Sequence, residues 1–408
     1  MITALKNKQR KGFVKLCHGI ITGAADNDPA GITTYSVVGA TTGLTQLFLV
    51  PLSTVLLIAI QSICARIGDV KKKGLALIIQ EYFGRKVAFL AMFFLILANL
   101  TTMGADLAAI GTAFAIIFPQ ISIIFVLPLI SLLVWYVVVF KSYQLLTKFL
   151  LLLALIFVSY IISGILVKPD WSLVLKNTFL PQIVFSNKFY WLAVVGFLGT
   201  TITPYLFFWQ VSEEIEDKPC VKDAKTEVKE NAPGLIFSNL IAYFIIICTA
   251  TVLFTKNIQI TSAHEAALAL KPFLGNNAFL LFALGIIGAG LLALPVLASS
   301  TAYAIAETFR WKEGLTKKPS KARGFYTVLS STFFVALAIS LLKINPVKIL
   351  FYSQVFNGML APFLLVLIMI IAGSKKIMGD YRNGFWSNFF GWITTLIMFL
   401  AALAVFIS

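Results

Sequence analysis

Two short runs hold the residues whose types and spacing could do chemistry. The first is Asp26-Asn27-Asp28-Pro29-Ala30-Gly31, and the second is Gly199-Thr200-Thr201-Ile202-Thr203-Pro204. Each interrupts a long apolar stretch. Proline has no backbone N–H to give and its ring clashes with the preceding turn, so a helix passing through either run should break there. A break frees main-chain carbonyl oxygens. Beside an unpaired carboxylate, such oxygens suit a hard divalent cation, which takes oxygen ligands. The expected ligands are Asp28, the backbone near Gly31, the carbonyl of Thr200, and the hydroxyl or carbonyl of Thr203. Asp-Pro and Thr-Pro are also good helix starts. Capping alone would explain both runs, and capping is compatible with ion binding.

Other polar residues fall near the breaks. Asp26 is read as a pathway residue or a solvated vestibule acid. Asn27 sits beside it. Asp106, in Gly104-Ala105-Asp106-Leu107, reads as a relay or vestibule residue, or as a hydrogen-bond partner of a neighbouring helix. Gln354, in Ser353-Gln354-Val355, could touch the ion or its water, or bond another helix. Glu213 and Glu214 open a charged run that could draw cations to a mouth, or could be a solvated loop start. His18 reads as a packed neutral side chain rather than a ligand, and His264 as a loop residue.

Elements must place these residues, and the composition says which kind. Of 408 residues 59% are hydrophobic and 12% charged, with mean hydropathy +0.91. A soluble domain carries roughly 25% charged residues, so a soluble enzyme, a nucleic-acid-binding domain and a disordered chain are excluded. Four cysteines (Cys17, Cys64, Cys220, Cys248) show no metal-ligand spacing, and a disulfide framework is not expected. No cleavable signal peptide is expected. A bilayer-crossing helix needs about 20 apolar residues. That ruler gives eleven spans, near 12–41, 45–66, 87–118, 121–140, 143–167, 189–211, 233–255, 276–308, 325–343, 347–372 and 385–407. With the N-terminus placed in the cytoplasm, 26 Lys and Arg fall on the inner side and 7 on the outer. Basic residues set orientation, so the N-terminus is expected inside and the C-terminus outside. The net charge of +16 then faces anionic lipid rather than nucleic acid.

The breaks fall in spans 1 and 6, five spans apart. An odd number of spans per repeat inverts the second half. Carriers built from inverted repeats hold their substrate between two such discontinuous helices. A carboxylate near the bilayer centre costs about 2.5–3.5 kcal/mol or more. Of 17 acidic residues, only Asp26, Asp28 and Asp106 are expected deep within spans, with every Lys and Arg at a span end or in a loop. The expectation is an all-α polytopic membrane protein forming a single transmembrane domain, 1–408. Helices 1–5 would occupy about 12–167, helices 6–10 about 189–372, and helix 11 about 385–407.

At Asp28-Pro29-Ala30-Gly31 and Thr203-Pro204-Tyr205 the chain resembles the NRAMP family of divalent metal transporters, and the likeness runs along nearly the whole sequence. Family members carry Asp-Pro-Gly-Asn in the first helix and Met-Pro-His in the sixth. Supporting echoes are Asp106-Leu107-Ala108, Pro169-Asp170-Trp171, Ser353-Gln354-Val355 with Pro362, and Met378-Gly379-Asp380-Tyr381-Arg382-Asn383. The resemblance implies a LeuT-like 5+5 inverted repeat plus an eleventh helix, working by alternating access. Four departures carry information. The family Asn is Gly31, which removes an amide oxygen and makes room. The family Met is Thr203, which exchanges a soft thioether for a hydroxyl; oxygen suits Mg²⁺, Ca²⁺ or Mn²⁺ better than softer metals. The family His is Tyr205, and a family Glu three residues after the span 3 Asp is Ala109, so fewer groups remain to carry protons. The chain looks like the NRAMP-related branch associated with magnesium uptake.

The expected function is inward movement of a divalent cation, Mg²⁺ or Mn²⁺, partly hydrated and without obligatory proton coupling. The competing readings are a proton-coupled Mn²⁺ or Fe²⁺ importer and an amino-acid permease of the same fold. From other classes come an intramembrane enzyme, for which no HExxH, GxSxG or Gly-x-Gly-Asp is present, and a receptor. No cofactor is expected beyond the cation as substrate. Membrane lipid is the expected surrounding partner, a monomer the expected state, and a bacterial inner membrane the expected location.

Overall fold

The computed structural model describes residues 27–140, 156, 158–185, 187–216, 224–271, 275–342 and 344–408. Among the described residues all regular structure is helical. In chain order the α-helices are α1 (Pro29–Thr42), α2 (Leu49–Lys71), α3 (Leu75–Phe83), α4 (Arg85–Ile117), α5 (Ile123–Phe140), α6 (Val158–Leu166), α7 (Trp171–Phe179) and α8 (Lys188–Thr201). They continue with α9 (Pro204–Glu216), α10 (Ala224–Val252), α11 (Ala263–Ala267), α12 (Ala278–Thr308), α13 (Arg323–Ser340), α14 (Pro346–Gly373), α15 (Lys375–Met378) and α16 (Phe385–Ile407). Nine helical segments among the described residues are long and apolar enough to cross a membrane. The first half of expected span 1 (with His18 and Asp26) and most of expected span 5 lie outside the described residues.

Apolar composition makes these helices; polar side chains fix where they begin. Asp28 caps α1, Asn187 caps α8 and Asn345 caps α14, each side chain accepting orphan backbone N–H groups. Pro29 and Pro346 stand at the first helical position, where a missing N–H costs nothing. Span 6 is split at Ile202, where α8 ends with φ −113° and ψ 67°, and Pro204 starts α9. Span 7 was expected to begin near Pro233. Helix α10 instead runs from Ala224 with Pro233 inside it, because one lost hydrogen bond is tolerated within a long packed helix.

Burial separates centre from rim. In the most apolar window of α8–α9, 89% of residues are buried, against 33% in α5 and in α16. The broken span 6 is therefore the axis of the molecule, and α5 and α16 are peripheral. Helix α1 packs against α8, α10, α14 and α4. Helices α8 and α14 approach closely: a Cβ on Gly199 would lie 2.1 Å from the Gln354 carbonyl, and one on Gly358 would lie 2.3 Å from the Val195 carbonyl. Small residues allow such backbone contact between apolar helices.

Two sequence expectations need correction. Acids other than Asp28 and Asp106 are enclosed as well: Asp69, Glu227 and Glu307 are buried. Nor are all basic residues at span ends. Helix α2 continues past Arg66, which is buried and donates to Asn383 Oδ1, tying α2 to the corner before α16. The Glu227 carboxylate acts electrostatically on the same guanidinium. Asp69, Arg66 and Glu227 share a cause: their helices extend beyond the apolar windows, so charges placed in loops or at span ends become enclosed by neighbouring helix ends; Glu307, one residue before the end of α12, is enclosed by α3 and α9.

Candidate metal centre

The N-terminus of α1 is the focus. Asp28 has extended backbone (φ −69°, ψ 168°), and its Oδ1 accepts the Gly31 N–H at 2.5 Å. The next amide is used by another helix: the Ala30 N–H donates to Asp106 Oδ1 at 3.1 Å. Two carboxylates, 78 residues apart in sequence, thus grip adjacent amides of one helix end. The positive end of the helix dipole favours both. Each commits one oxygen. The second oxygen of Asp106 is buried and makes no hydrogen bond, and that of Asp28 makes none among the described residues. Both side chains are enclosed, Asp28 at 1% and Asp106 at 0% exposure.

The break in span 6 lies beside α1. The Tyr35 hydroxyl and Thr201 Oγ1 share a hydrogen bond at 3.1 Å, and the Tyr35 ring meets Phe197 at 5.3 Å. One helical turn on, the Thr200 carbonyl would take its hydrogen bond from the residue 204 amide, but Pro204 has none. The hydroxyls of Thr200 and Thr203 are both buried without a hydrogen-bond partner. Buried polar atoms are normally paired, and each exception asks for an explanation. Three oxygen functions, a carbonyl and two hydroxyls, stand at this break, and α1, which Asp28 caps, packs against α8.

Gln354 is brought to the same level by the Gly199 contact, since its own carbonyl lies against the residue next to Thr200. Its Oε1 accepts from Asn357 Nδ2 at 3.0 Å, while its Nε2 is buried and unpartnered. Asn357 also donates to Thr102 Oγ1 at 3.2 Å, one turn before Asp106 on α4. Asn99, a further turn back, donates to Ser300 and Thr301 of α12 at 2.8 and 2.9 Å. Sequence reading missed this neutral ladder of Asn357, Thr102 and Asn99. Its only sequence signal is a three-to-four-residue spacing of amides and hydroxyls along α4.

The remaining candidates lie farther out. Asn27 is buried and its Nδ2 reaches the Ser238 carbonyl of α10 at 3.5 Å. Tyr205 is buried in the first turn of α9. Glu213 and Glu214 are half-buried in the last turn of α9, where Gln210 Nε2 donates to Glu214 Oε1 at 3.1 Å. They belong to a helix end, not to the break. His264 stacks on Phe279 at 4.3 Å, away from the break. Asp26 lies outside the described residues.

On one side of Asp106 a cavity of about 350 Å³ opens, lined by Thr33, Ala109, Thr112, Ile286, Leu350 and the segment around Ser262. Ala109 is one turn past Asp106, so the cavity reaches to the edge of the acid pair. On the other side the molecule is closed by a second acidic group. Glu307 of α12 is buried, its Oε2 accepts the Ala76 N–H of α3 at 2.9 Å and its Oε1 the Ser212 hydroxyl of α9 at 3.4 Å. Glu216 accepts the Tyr303 hydroxyl and the Leu315 N–H, the latter at 2.8 Å. Among the described residues no three of His, Cys, Asp and Glu are grouped as a metal cage. The candidate centre at the breaks offers oxygens from two acids and from neutral donors.

Comparisons with known proteins agree with this architecture. A family model described as natural resistance-associated macrophage protein-like matches residues 19–408. The divalent metal cation transporter MntH of Staphylococcus aureus is 29% identical over an alignment covering 98% of this chain and 92% of that protein. The MntH of Clostridium acetobutylicum is 27% identical, over 62% of this chain and 57% of its own length. Among solved structures, the manganese transporter of Eremococcus coleocola superposes with a TM-score of 0.73 at 18% identity, covering 95% of this chain and 85% of that one. The architecture is the LeuT-like inverted repeat with an added helix.

Proposed function

The chain belongs to the natural resistance-associated macrophage protein-like (NRAMP) family of divalent metal transporters, and from that premise we propose that its own cargo is Mg²⁺, carried partly hydrated and driven by membrane potential. It is a carrier and not an enzyme. The observation that carries the cargo assignment is the donor set. Thr200 and Thr203 present buried, unpartnered hydroxyls at the break, beside the carbonyl that Pro204 leaves open. Asp28 adds a carboxylate. Thiolate, thioether and imidazole are not among these donors, and an all-oxygen set suits Mg²⁺, Ca²⁺ or Mn²⁺. Mg²⁺ gives up water reluctantly, so a centre with few charged ligands and no side chain at Gly31 fits a partly hydrated ion. Asp26, Asn27, Tyr205 and Gln354 are proposed along the path or behind the ligands, and Glu213 and Glu214 at its inner mouth.

The drive follows from what surrounds Asp106. The position one turn on is Ala109, which lines a cavity instead of holding a second acid. From Arg85 to Ala105, helix α4 carries no titratable residue beyond Arg85 and Lys86 at its start. The ladder leading from Asp106 along α4 is Thr102 and Asn99, which hydrogen-bond but do not titrate. Voltage alone suffices: two charges gain about 4.6 kcal/mol per 100 mV, a roughly thousandfold accumulation. The split of basic residues supports a cytoplasmic N-terminus and an outer C-terminus, with the chain in a bacterial inner membrane.

The test is ion flux into liposomes holding the purified protein, with Mg²⁺, Mn²⁺ and Ca²⁺ compared under an imposed inside-negative potential. Mg²⁺ should enter, the lumen should hold its pH, and Asp28→Ala should abolish entry. Lumen acidification in step with ion entry would defeat the uncoupled reading. It would favour the runner-up, a proton-coupled Mn²⁺ or Fe²⁺ importer with Asp106 or Asp28 as carrier. The free oxygen of Asp106 is the feature that keeps that reading alive.

A further inference from the structure

Helix α16 lies outside the repeat and is the most peripheral element, with α5. Its outward face follows helical spacing, with Phe385, Phe389, Trp392 and Leu396 exposed along it at 74%, 45%, 44% and 54%. Asn388 and Ile393 complete a groove of about 350 Å³ along this face. A stripe of this kind on a membrane protein meets lipid. One end of the groove is different in character. Asn388 is its single polar side chain, and its Oδ1 lies 3.7 Å from where a Cβ on Gly373 would stand. The groove therefore ends at the corner where α14 gives way to α15.

That corner is positively charged. Lys375 and Lys376 follow directly and are exposed, as is Arg382. The Lys71 ammonium is held there as well, donating to the Ile377 carbonyl at 3.1 Å and to the Tyr82 hydroxyl at 3.0 Å. Asp380 is the one acid in the stretch from Gly373 to Phe385. An apolar slot, an amide at its end and a cluster of cations beyond match, in that order, an acyl chain, a glycerol ester and a phosphate. Aromatic residues belong at the level of lipid headgroups, and basic residues near the membrane surface attract anionic ones.

We propose that this face holds one anionic phospholipid, its acyl chain along Phe389, Trp392, Ile393 and Leu396, its ester region at Asn388 and its phosphate group among Lys375, Lys376 and Arg382. A zwitterionic lipid fills the slot equally well but adds a cation to a corner that already has an excess of them. The bound lipid would brace α16 against the α14–α15 corner, which Arg66 anchors to α2 through Asn383.

The test is lipid retention by the full-length protein in detergent, read by native mass spectrometry. Phosphatidylglycerol and phosphatidylcholine with the same acyl chains are offered in turn. The protein should retain one phosphatidylglycerol about tenfold better than phosphatidylcholine, since each basic residue near a lipid surface adds an attraction of that order or slightly less. Lys375→Ser combined with Lys376→Ser should remove the preference, and Arg382→Ser should weaken it independently. Trp392→Ala should lower retention of both lipids. Melting temperatures in detergent alone check that each variant is folded. Equal retention of the two lipids, or a preference that survives loss of the lysines, overturns the proposal. So does a dimer that persists without lipid and is lost with Trp392→Ala, which would assign the face to a second copy of the chain.

Discussion

Asp28 meets two demands with one side chain. One oxygen closes the first turn of α1, and the other is the one proposed to meet the ion. Asp106 repeats the arrangement on the neighbouring amide, so the helix start is held from its own chain and from α4 at once. Thr203 is the residue at which cargo choice should be most readily altered. Thr203→Met would replace a hydroxyl with a thioether in the position where the resembled family has one. It should move preference from Mg²⁺ toward Mn²⁺ or Cd²⁺ by about tenfold, the effect of roughly 1.4 kcal/mol in relative affinity. A flux panel across these ions measures it, and an unchanged panel removes Thr203 from the ligands. That Asp28 starts a helix and that Thr200 and Thr203 flank an interruption could be read from the chain because proline marks such places locally. The partner of Asp106 could not, because the amide it binds lies 76 residues away and an acid's spacing says nothing about which helix end it will meet.

Among the elements, the contact between α8 and α14 has the least slack. Gly199 and Gly358 let two backbones touch directly beside Thr200. A methyl group at Gly199 would stand 2.1 Å from the Gln354 carbonyl and 2.4 Å from the Gly358 nitrogen, both backbone atoms. Gly199→Ala should therefore cost about 1–3 kcal/mol or more in stability, shift Gln354 relative to the break and lower flux. Gly384→Ala is the control, since nothing lies within 4 Å of its added Cβ. Melting temperature and flux measured on both variants separate a local clash from a general intolerance of alanine. The spans among the described residues, the start of α1 at Pro29 and the break at Ile202 were legible from hydrophobic runs and prolines. Which helices touch was not, because lipid-facing and protein-facing residues are equally apolar and a glycine shows its partner only when folded.

For the molecule as a whole, the acids at the closed end govern how it responds to pH. Glu313 lies in the loop after α12, outside the membrane-spanning helices. Burial pushes its carboxyl from an ordinary 4.5 up to about 7; Lys317 opposes the rise and Glu216 adds to it. A carboxyl that binds its proton more tightly when folded makes the folded state less stable as pH rises from the unfolded value through the folded one. Between about 4.5 and 7 the closed end should therefore lose stability with rising pH, and the loss should level off above. Glu313→Gln should flatten this slope, with the largest gain in melting temperature over the native protein at pH values above 7. A pair of parallel melting curves against pH would sink the assignment. The seal made by Glu307, Glu216 and Tyr303 was hidden in the sequence, where acids near span ends read as solvated.

The proline at position 204 leaves the Thr200 oxygen with no amide to accept, and two neighbouring hydroxyls idle. A cation bound there would pair with these oxygens, so the proposed cargo should stabilise the folded carrier. Chelator should thus make the purified protein melt early, and millimolar Mg²⁺ should restore it, by about 2.7 kcal/mol once the ion stands a hundredfold above its dissociation constant. Under the proposed reading, the groups that select the ion are also the ones its binding would stabilise.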